Sequence, residues 1–538
     1  YMQPKKMLAD RGLFLGVHPG MGIASKAMVL AFVLFTIINV EFSGGIFSDI
    51  KNWIQTTLNW YYVTVVSLVL FFSIWVAFSR FGNLRLGEDD ETPEFNFITW
   101  FSMLFSCAIG TGILFWSIAE PIFHFQGNPF IDMAGIAAGS AEAAQVAMRI
   151  TLFHWGLHGW AIYIIVGLIL AYFAYRRGLP LTVRSALYPL LGDKIYGPIG
   201  HAVDLLAIFS TLFGTATTLG LGVSQMNAGL NYLFGLEISS SVQVMLIAII
   251  SVVGTLSAVS GVEKGIKFLS LWNIRISLIL VLFFLLAGPT VFLLGMFTTS
   301  VGDYMWNLIP MGFWTNPDPE SQWQGWWTIF YWGWWLSWGP LVGMFIARIS
   351  RGRTIRQFLL SALIIPPLGG FLWIVIFGGT ALHIELYGAG GIVDAVNNNM
   401  TLALYQTIEA IGVESLTWPM AALATFMIIT WFVTSADSGT LVICTILSVG
   451  DKNPPQRFHI IWGLGLGAVA GVLLMAGGLK ALQTASIAAA LPFSVVLLFM
   501  CVALVKGLND EANGVVYHPE VPEKKSGGDM VGDIEAAS

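Results

Sequence analysis

Apolar residues along this chain fall into long unbroken runs, without the two-residue alternation of strands or the mixed faces of water-soluble helices. Runs of the ~20 residues that a bilayer crossing needs lie at 25–47, 59–80, 98–119, 146–175, 202–233, 240–260, 270–298, 326–348, 356–382, 416–446, 458–479 and 484–506. Only helices and closed barrels satisfy their backbone groups in lipid, and the alternation of a barrel is absent. The expected fold is therefore an all-α integral membrane protein with twelve transmembrane helices. The polar segments between the runs are unequal in charge. Those after even-numbered spans carry Arg80 and Arg85; Arg176, Arg177, Arg184 and Lys194; Lys264 and Lys267; Arg348, Arg351, Arg353 and Arg356; Lys452 and Arg457. Those after odd-numbered spans hold only Lys51 and Lys480, with Arg149 at a span edge, and 299–325 and 383–415 hold no Lys or Arg. The positive-inside rule then puts both termini in the cytoplasm.

Composition agrees. The chain is 56% apolar and 10% charged, against about a quarter charged for a soluble domain. No basic patch or stacking platform points to nucleic acid. Cys107, Cys444 and Cys501 lie far apart inside apolar runs, so neither a disulfide framework nor a zinc site is indicated. No cleavable signal peptide is evident: Lys5, Lys6 and Arg11 precede a first run long enough to span. The segment 299–325 reads as a short amphipathic helix on the outer interface. The stretch after 507 reads as a disordered cytoplasmic tail.

Two features break the membrane pattern. The third span reads S-C-A-I-G-T-G-I-L-F-W-S-I-A-E-P, with Gly110 and Gly112 in mid-membrane and Glu120-Pro121 expected to end the helix. Close helix packing would explain a lone glycine. A second interruption, expected at Gly333 and Gly339-Pro340 in the eighth span, makes a pair, and paired breaks point to an inverted repeat with a midplane site. The other feature is tryptophan density: Trp332, Trp334, Trp335 and Trp338 in the eighth span, Trp155, Trp160 and Tyr163 in the fourth. An interfacial belt accounts for Trp323, Trp326 and Trp327. Trp335 and Trp338 lie two to three turns deeper and share a face, as do Trp160 and Tyr163. Facing π-surfaces bind quaternary ammonium or sulfonium groups at about 0.5–2 kcal/mol per contact.

At these residues the sequence resembles the betaine/choline/carnitine transporter family. The resemblance is carried by W-W-T-I-F-Y-W-G-W-W-L-S-W-G-P-L-V-G-M-F-I-A-R-I-S-R-G-R (326–353), the E-P pair, F-G-T-A-T-T-L-G-L-G (213–222) and T-S-A-D-S-G (434–439), and extends over about 15–505. It implies LeuT-like inverted five-helix repeats, spans 3–7 and 8–12, with alternating access and a homotrimer. The chain then divides into a cytoplasmic segment (1–24), two peripheral helices (25–97), a first repeat (98–298), a periplasmic amphipathic segment (299–325), a second repeat (326–506) and the tail (507–538).

The resemblance also implies a substrate box of Trp155, Trp160, Tyr163, Trp334, Trp335 and Trp338, with Phe345 further along the cytoplasmic exit path. An unwound segment Ala108–Gly112, including Ile109 and Gly110, would face the substrate carboxylate. Sodium, the coupling ion, would be held by Thr434 and Ser435 with carbonyls near Ser106, Ile109 and Trp431, and at a second site by Thr211 and Thr215, hard oxygen donors that suit it. Asp437 is expected to brace the first site. No cofactor is implied.

The chain departs from the family pattern at Ala108, usually Gly, and at Leu341, where an aromatic can flank the second sodium site. Gly112 stands where choline-importing members tend to have Asp, which favours a zwitterion. Span five has no Arg of the kind found in sodium-independent carnitine exchangers, and no long basic extension follows span twelve, as expected of a constitutive importer. The expected function is sodium-coupled import of glycine betaine or a sulfonium analogue such as dimethylsulfoniopropionate. The alternatives are a choline importer and a sodium-independent carnitine/betaine exchanger. Broken helices around a midplane box argue against an ion channel, and no catalytic dyad in the spans suggests an enzyme.

Overall fold

The structure is a computed structural model that describes residues 7–107, 110–259, 263–318, 320–451 and 453–517. Among the described residues every regular element is helical and no strand occurs. The principal helices are α1 (Pro19–Ile38), α2 (Val40–Thr57), α3 (Asn59–Phe78), α4 (Phe97–Cys107), α5 (Thr111–Gln126), α6 (Ala141–Trp155), α7 (Leu157–Ala171) and α8 (Pro198–Phe234). They continue as α9 (Ser240–Val259), α10 (Glu263–Ala287), α11 (Thr290–Gly312), α12 (Phe330–Ile349), α13 (Ile355–Tyr387), α14 (Glu414–Leu447) and α15 (Gln456–Ala512). Among the described residues, six of these helices, and α6 with α7 taken together through Arg176 as a seventh, are long and apolar enough to cross a membrane; α10 and α11, bent by 106°, make an eighth if they count as one. That number falls below the number of apolar runs partly because α4 and α5 divide one run into pieces of 11 and 16 residues. In addition, α15 joins two runs in 57 residues across non-helical Gly477 and Gly478.

Local chemistry sets the helix ends. Proline opens α1 and α8, where its missing N–H costs nothing. Side chains cap others: Asn39 accepts from Phe42 N at 3.0 Å, Ser140 from Ala143 N at 3.1 Å and Thr354 from Gln357 N at 3.2 Å. Gly235 ends α8 in the left-handed region (φ 72°).

Several expected boundaries change. The first run, 25–47, is divided at Asn39, whose side chain starts α2. The seventh, 270–298, ends at Ala287 because Gly288-Pro289 turns the chain, so the helix expected within 299–325 begins already at Thr290. Glu120-Pro121 does not end a helix: α5 continues to Gln126. The interruption expected at Gly333 and Gly339-Pro340 is absent, since α12 is helical from Phe330 to Ile349. Its glycines serve close packing: a Cβ at Gly333 would lie 2.8 Å from Ile487 Cα, and one at Gly343 would lie 2.7 Å from Val166 Cγ1.

A break does occur in the fourth run, at Gly156 (φ −95°, ψ −145°), between α6 and α7. Two backbone groups beside it take side-chain partners: Leu157 N donates to Tyr304 Oη at 2.9 Å, and His154 O accepts from Trp335 Nε1 at 2.8 Å. At one end of the molecule, polar links join distant segments. Arg176 Nε donates to Glu511 at 2.5 Å and its Nη2 lies 2.9 Å from Asp89, while Arg351 pairs with Glu91. Arg184 and Asp204, both fully buried, pair at 2.6 Å.

Candidate functional site

The break between α4 and α5 opens onto a cavity between the helices. Gly110 is fully extended there (φ −166°, ψ −178°), and α5 starts at Thr111 without a side-chain cap, so its first amides and positive dipole end lie at the cavity edge. The wall comprises Gly110–Ile113 of this segment, Trp155, Gly159, Trp160 and Tyr163 of α6 and α7, Thr218 of α8, Trp334, Trp335, Trp338 and Val342 of α12, and Gly370 of α13. Its enclosed volume is ≈ 70 Å³, below the ~300–1,000 Å³ usual for drug-sized ligand sites, so the rings stand close together.

The six aromatic residues expected from the sequence all line this one cavity. Trp155 meets Trp335 edge-to-face at 4.8 Å and 69°, and Trp160 meets Tyr163 at 5.3 Å and 86°. Trp334 and Trp335 stack at 4.8 Å and 16°. Three glycines make room for the three rings of α12. A Cβ at Gly112 would lie 2.6 Å from Trp334 Cη2, one at Gly159 2.7 Å from Trp335 Cδ1, and one at Gly214 2.8 Å from Trp338 Cδ1. Gly159 and Gly214 were not among the expected site residues, although a glycine one position before Trp160 and another beside Thr215 could have signalled a seated ring.

Four polar side-chain atoms of the wall, on Trp155, Thr218, Trp334 and Trp335, are satisfied within the protein. Trp334 Nε1 donates to Thr218 Oγ1 at 3.2 Å, and Thr218 donates to Gly214 O at 3.3 Å. Two fully buried polar atoms, Thr111 Oγ1 and Trp338 Nε1, have no hydrogen-bond partner. Indole N–H is a donor only and a hydroxyl can donate, so together they suit a ligand acceptor. Thr111, too, was missed; a hydroxyl following a mid-membrane glycine is the signal that could have found it.

Of the segment expected to be unwound, Gly110 lies in the break, whereas Gly112 is already helical in α5. Ala108 and Ile109 lie outside the described residues, as does the side chain of Ser106. Phe345 is 41% exposed and is not part of the cavity wall.

The residues expected at the ion sites lie on α8 and α14. Thr211 and Thr215 are fully buried, one turn apart, and both hydroxyls lack a hydrogen-bond partner. A Cβ on Gly439 would sit 2.9 Å from Thr215 Oγ1, so α14 passes close by. Hard, unpaired oxygens of this kind fit a sodium ion. On α14, Thr434 Oγ1 donates to Trp431 O at 3.1 Å, and Ser435 is half-buried beside it. Asp437 faces a recess shared with Ser251, Thr255, Thr440 and His459.

Behind Trp155 lies a cluster that sequence reasoning missed. Glu120, His124 and His154 converge, with ligand atoms within 4.8 Å of one another, all fully buried. Glu120 had been read as a helix stop and as part of the E-P pair, without a role in the site.

Comparison with known proteins adds an independent finding. Residues 21–513 match the family model described as BCCT, betaine/carnitine/choline family transporter. The chain is 44% identical over 502 residues to the glycine betaine transporter OpuD of Bacillus subtilis, covering 93% of this chain and 96% of that one. It is 41% identical over 490 residues to a probable glycine betaine transporter of Desulfitobacterium hafniense, covering 90% and 97%. It is 40% identical over 501 residues to a high-affinity choline transport protein of Escherichia coli, covering 92% and 72%.

Proposed function

The chain belongs to the betaine/carnitine/choline family of transporters, and on that premise we propose that it imports glycine betaine or a sulfonium analogue such as dimethylsulfoniopropionate, coupled to sodium. It is a multi-pass membrane transporter of a small onium solute, and not an enzyme. The observation that carries the choice of a zwitterion is the mixed lining of the cavity. Six aromatic residues line it, while two unpaired donors, Thr111 Oγ1 and Trp338 Nε1, and the amide end of α5 offer partners to an anion. A methylated onium group cannot donate strong hydrogen bonds yet is drawn to ring faces. A carboxylate accepts from hydroxyl, indole and amide donors. Trp334 fills the space beside Gly112, which supports a site without an added acidic side chain there.

Sodium coupling draws support from the unpaired hydroxyls of Thr211 and Thr215, with Thr434, Ser435 and the Trp431 carbonyl as the second set. Ser106 and Ile109 complete that set in the proposal. Substrate and ion would be exchanged across the membrane by alternating access. The proposed architecture has twelve spans in the inner membrane, two inverted five-helix repeats (98–298 and 326–506), both termini in the cytoplasm and three copies in a trimer.

Choline import is the alternative that the Escherichia coli relative favours. The test is uptake of labelled betaine, choline, carnitine and dimethylsulfoniopropionate into proteoliposomes, with and without an inward sodium gradient. Saturable, sodium-dependent uptake of betaine or the sulfonium zwitterion is expected. Uptake of choline alone would reject the zwitterion, and uptake indifferent to sodium would point to exchange.

A further inference from the structure

We propose that Glu120 is a positioning residue of the onium cage: its carboxylate holds Trp155 from behind by the indole N–H and supplies the fixed negative charge toward which the substrate cation is drawn. This rests on the onium-transport reading given above. Glu120 lies on α5 and is completely buried. Its Oε2 accepts from Trp155 Nε1 at 2.9 Å and from Tyr331 Oη at 2.5 Å. Its Oε1 lies 2.6 Å from His154 Nδ1 and 3.3 Å from His124 Nε2.

The partners fit an ionised carboxylate. Indole can only donate, and Thr328 Oγ1, 3.0 Å from His154 Nε2, can donate to that nitrogen and leave the Nδ1 proton for Glu120. Tyr331 and His124 can donate as well, so four donors surround an acceptor-only group. The same arrangement disfavours a metal among Glu120, His124 and His154. The Glu120–His154 contact closes the space between two of the ligand atoms, and Thr328 occupies the other His154 nitrogen.

What the cluster lacks is a permanent cation. Among the described residues, no Lys or Arg pairs with Glu120, and its ion-pair contacts are to the two histidines alone. A buried charge without a counter-charge is costly and marks function in a membrane protein. The ring that separates this carboxylate from the cavity is Trp155, whose far edge approaches Gly112: a Cβ there would lie 3.6 Å from Trp155 Cη2. A charge-assisted bond at the indole N–H enriches the ring that faces the cavity, and the carboxylate field adds to its pull on a cation. The missing counter-charge is thus the substrate's own onium group, and the field orients the zwitterion with its carboxylate away from Glu120.

The experiment uses the full chain in proteoliposomes and reads initial rates of betaine uptake for the wild type, Glu120→Gln, Trp155→Phe and the double variant. Glu120→Gln keeps size and removes charge, whereas Trp155→Phe keeps a ring face and removes the N–H. Each single change is expected to raise the betaine KM at least tenfold with the maximal rate per transporter within twofold. The double variant should be no worse than the weaker single, because both act through one bond. An unchanged KM in Glu120→Gln, a loss confined to the maximal rate, or additive effects would overturn the proposal. If Glu120→Gln does not reconstitute, a wild-type KM in Trp155→Phe overturns it alone. Wild-type protein that takes up no onium solute overturns the transport reading itself, which the first measurement separates from the rest.

Discussion

Replacing Gly112 tests whether the cavity wall is as tight as its geometry implies. A Cβ there would stand 2.6 Å from Trp334 Cη2 and 3.1 Å from its Cζ2. Trp334 has little freedom to yield. It is 1% exposed, stacks on Phe330 at 5.3 Å and 17° and on Trp335 at 4.8 Å and 16°, and is held by Thr218. Overpacking such a wall costs roughly 1–3 kcal/mol. Against this, Gly→Ala in a helix gains at most about 1 kcal/mol of propensity, and less in the first turn of α5. The clash therefore wins by about 1–2 kcal/mol, a factor of roughly 5–30. It displaces a ring of the cage, so Gly112→Ala should raise the betaine KM by that factor in proteoliposome uptake. Gly112→Asp adds the same clash and a negative charge, and should shift the choline-to-betaine preference toward choline, the substrate without a carboxylate. A Gly112→Ala protein that melts and transports like the wild type would refute the close seating of Trp334. A Gly112→Asp protein with unchanged selectivity would refute the charge argument.

Other expectations separate the remaining roles. Trp335→Ala or Trp160→Ala should each reduce betaine uptake roughly 5–30-fold at subsaturating substrate, since lost cation–π contact is worth about 1–2 kcal/mol; near wild-type uptake in both would place the site elsewhere. Thr211→Val and Thr215→Val delete buried hydroxyls that have no hydrogen-bond partner. Thermal melts in detergent should therefore show no loss of stability, while the sodium concentration for half-maximal uptake rises at least tenfold; unchanged sodium dependence would remove these residues from the ion site. Tyr304→Phe leaves the Leu157 amide without its partner, a cost of about 1–3 kcal/mol. It should lower the melting midpoint by a few degrees and speed hydrogen exchange at Leu157, and a slow amide there would contradict the assigned bond.

The cage was legible in the sequence because its rings announce themselves twice. Trp335 and Trp338, like Trp160 and Tyr163, have same-face spacing and lie too deep for an interfacial belt, and all four line the cavity. Glycine was harder to read, since it serves both broken helices and close packing. Gly110 marks a break, while Gly333 and Gly339 lie in continuous α12 and Gly156, which drew no notice, divides α6 from α7. The difference lies in neighbours distant in sequence: Ile487 presses on Gly333, and Tyr304 supplies the partner for Leu157 N. Glu120 was misread for the same reason. Its proline neighbour suggested a helix end, but its partners Trp155 and Tyr331 are 35 and 211 positions away. Thr111 escaped notice because an unsatisfied hydroxyl is a property of packing and leaves no pattern of its own.

The break at Gly156 also bears on speed. Trp155 belongs to the rod before it, anchored by Glu120, and Trp160 and Tyr163 to the rod after it, which crosses α12 where Gly167 and Gly343 meet. Trp155 and the pair Trp160 and Tyr163, which face the α12 rings, are therefore mounted on separate rods that share one pivot. At that pivot the bonds from Leu157 N to Tyr304 and from Trp335 to His154 O tie the flanks to neighbouring helices through side chains. If the cage opens at this pivot, loosening it with Tyr304→Phe should shorten the residence time of the solute even where equilibrium affinity changes little.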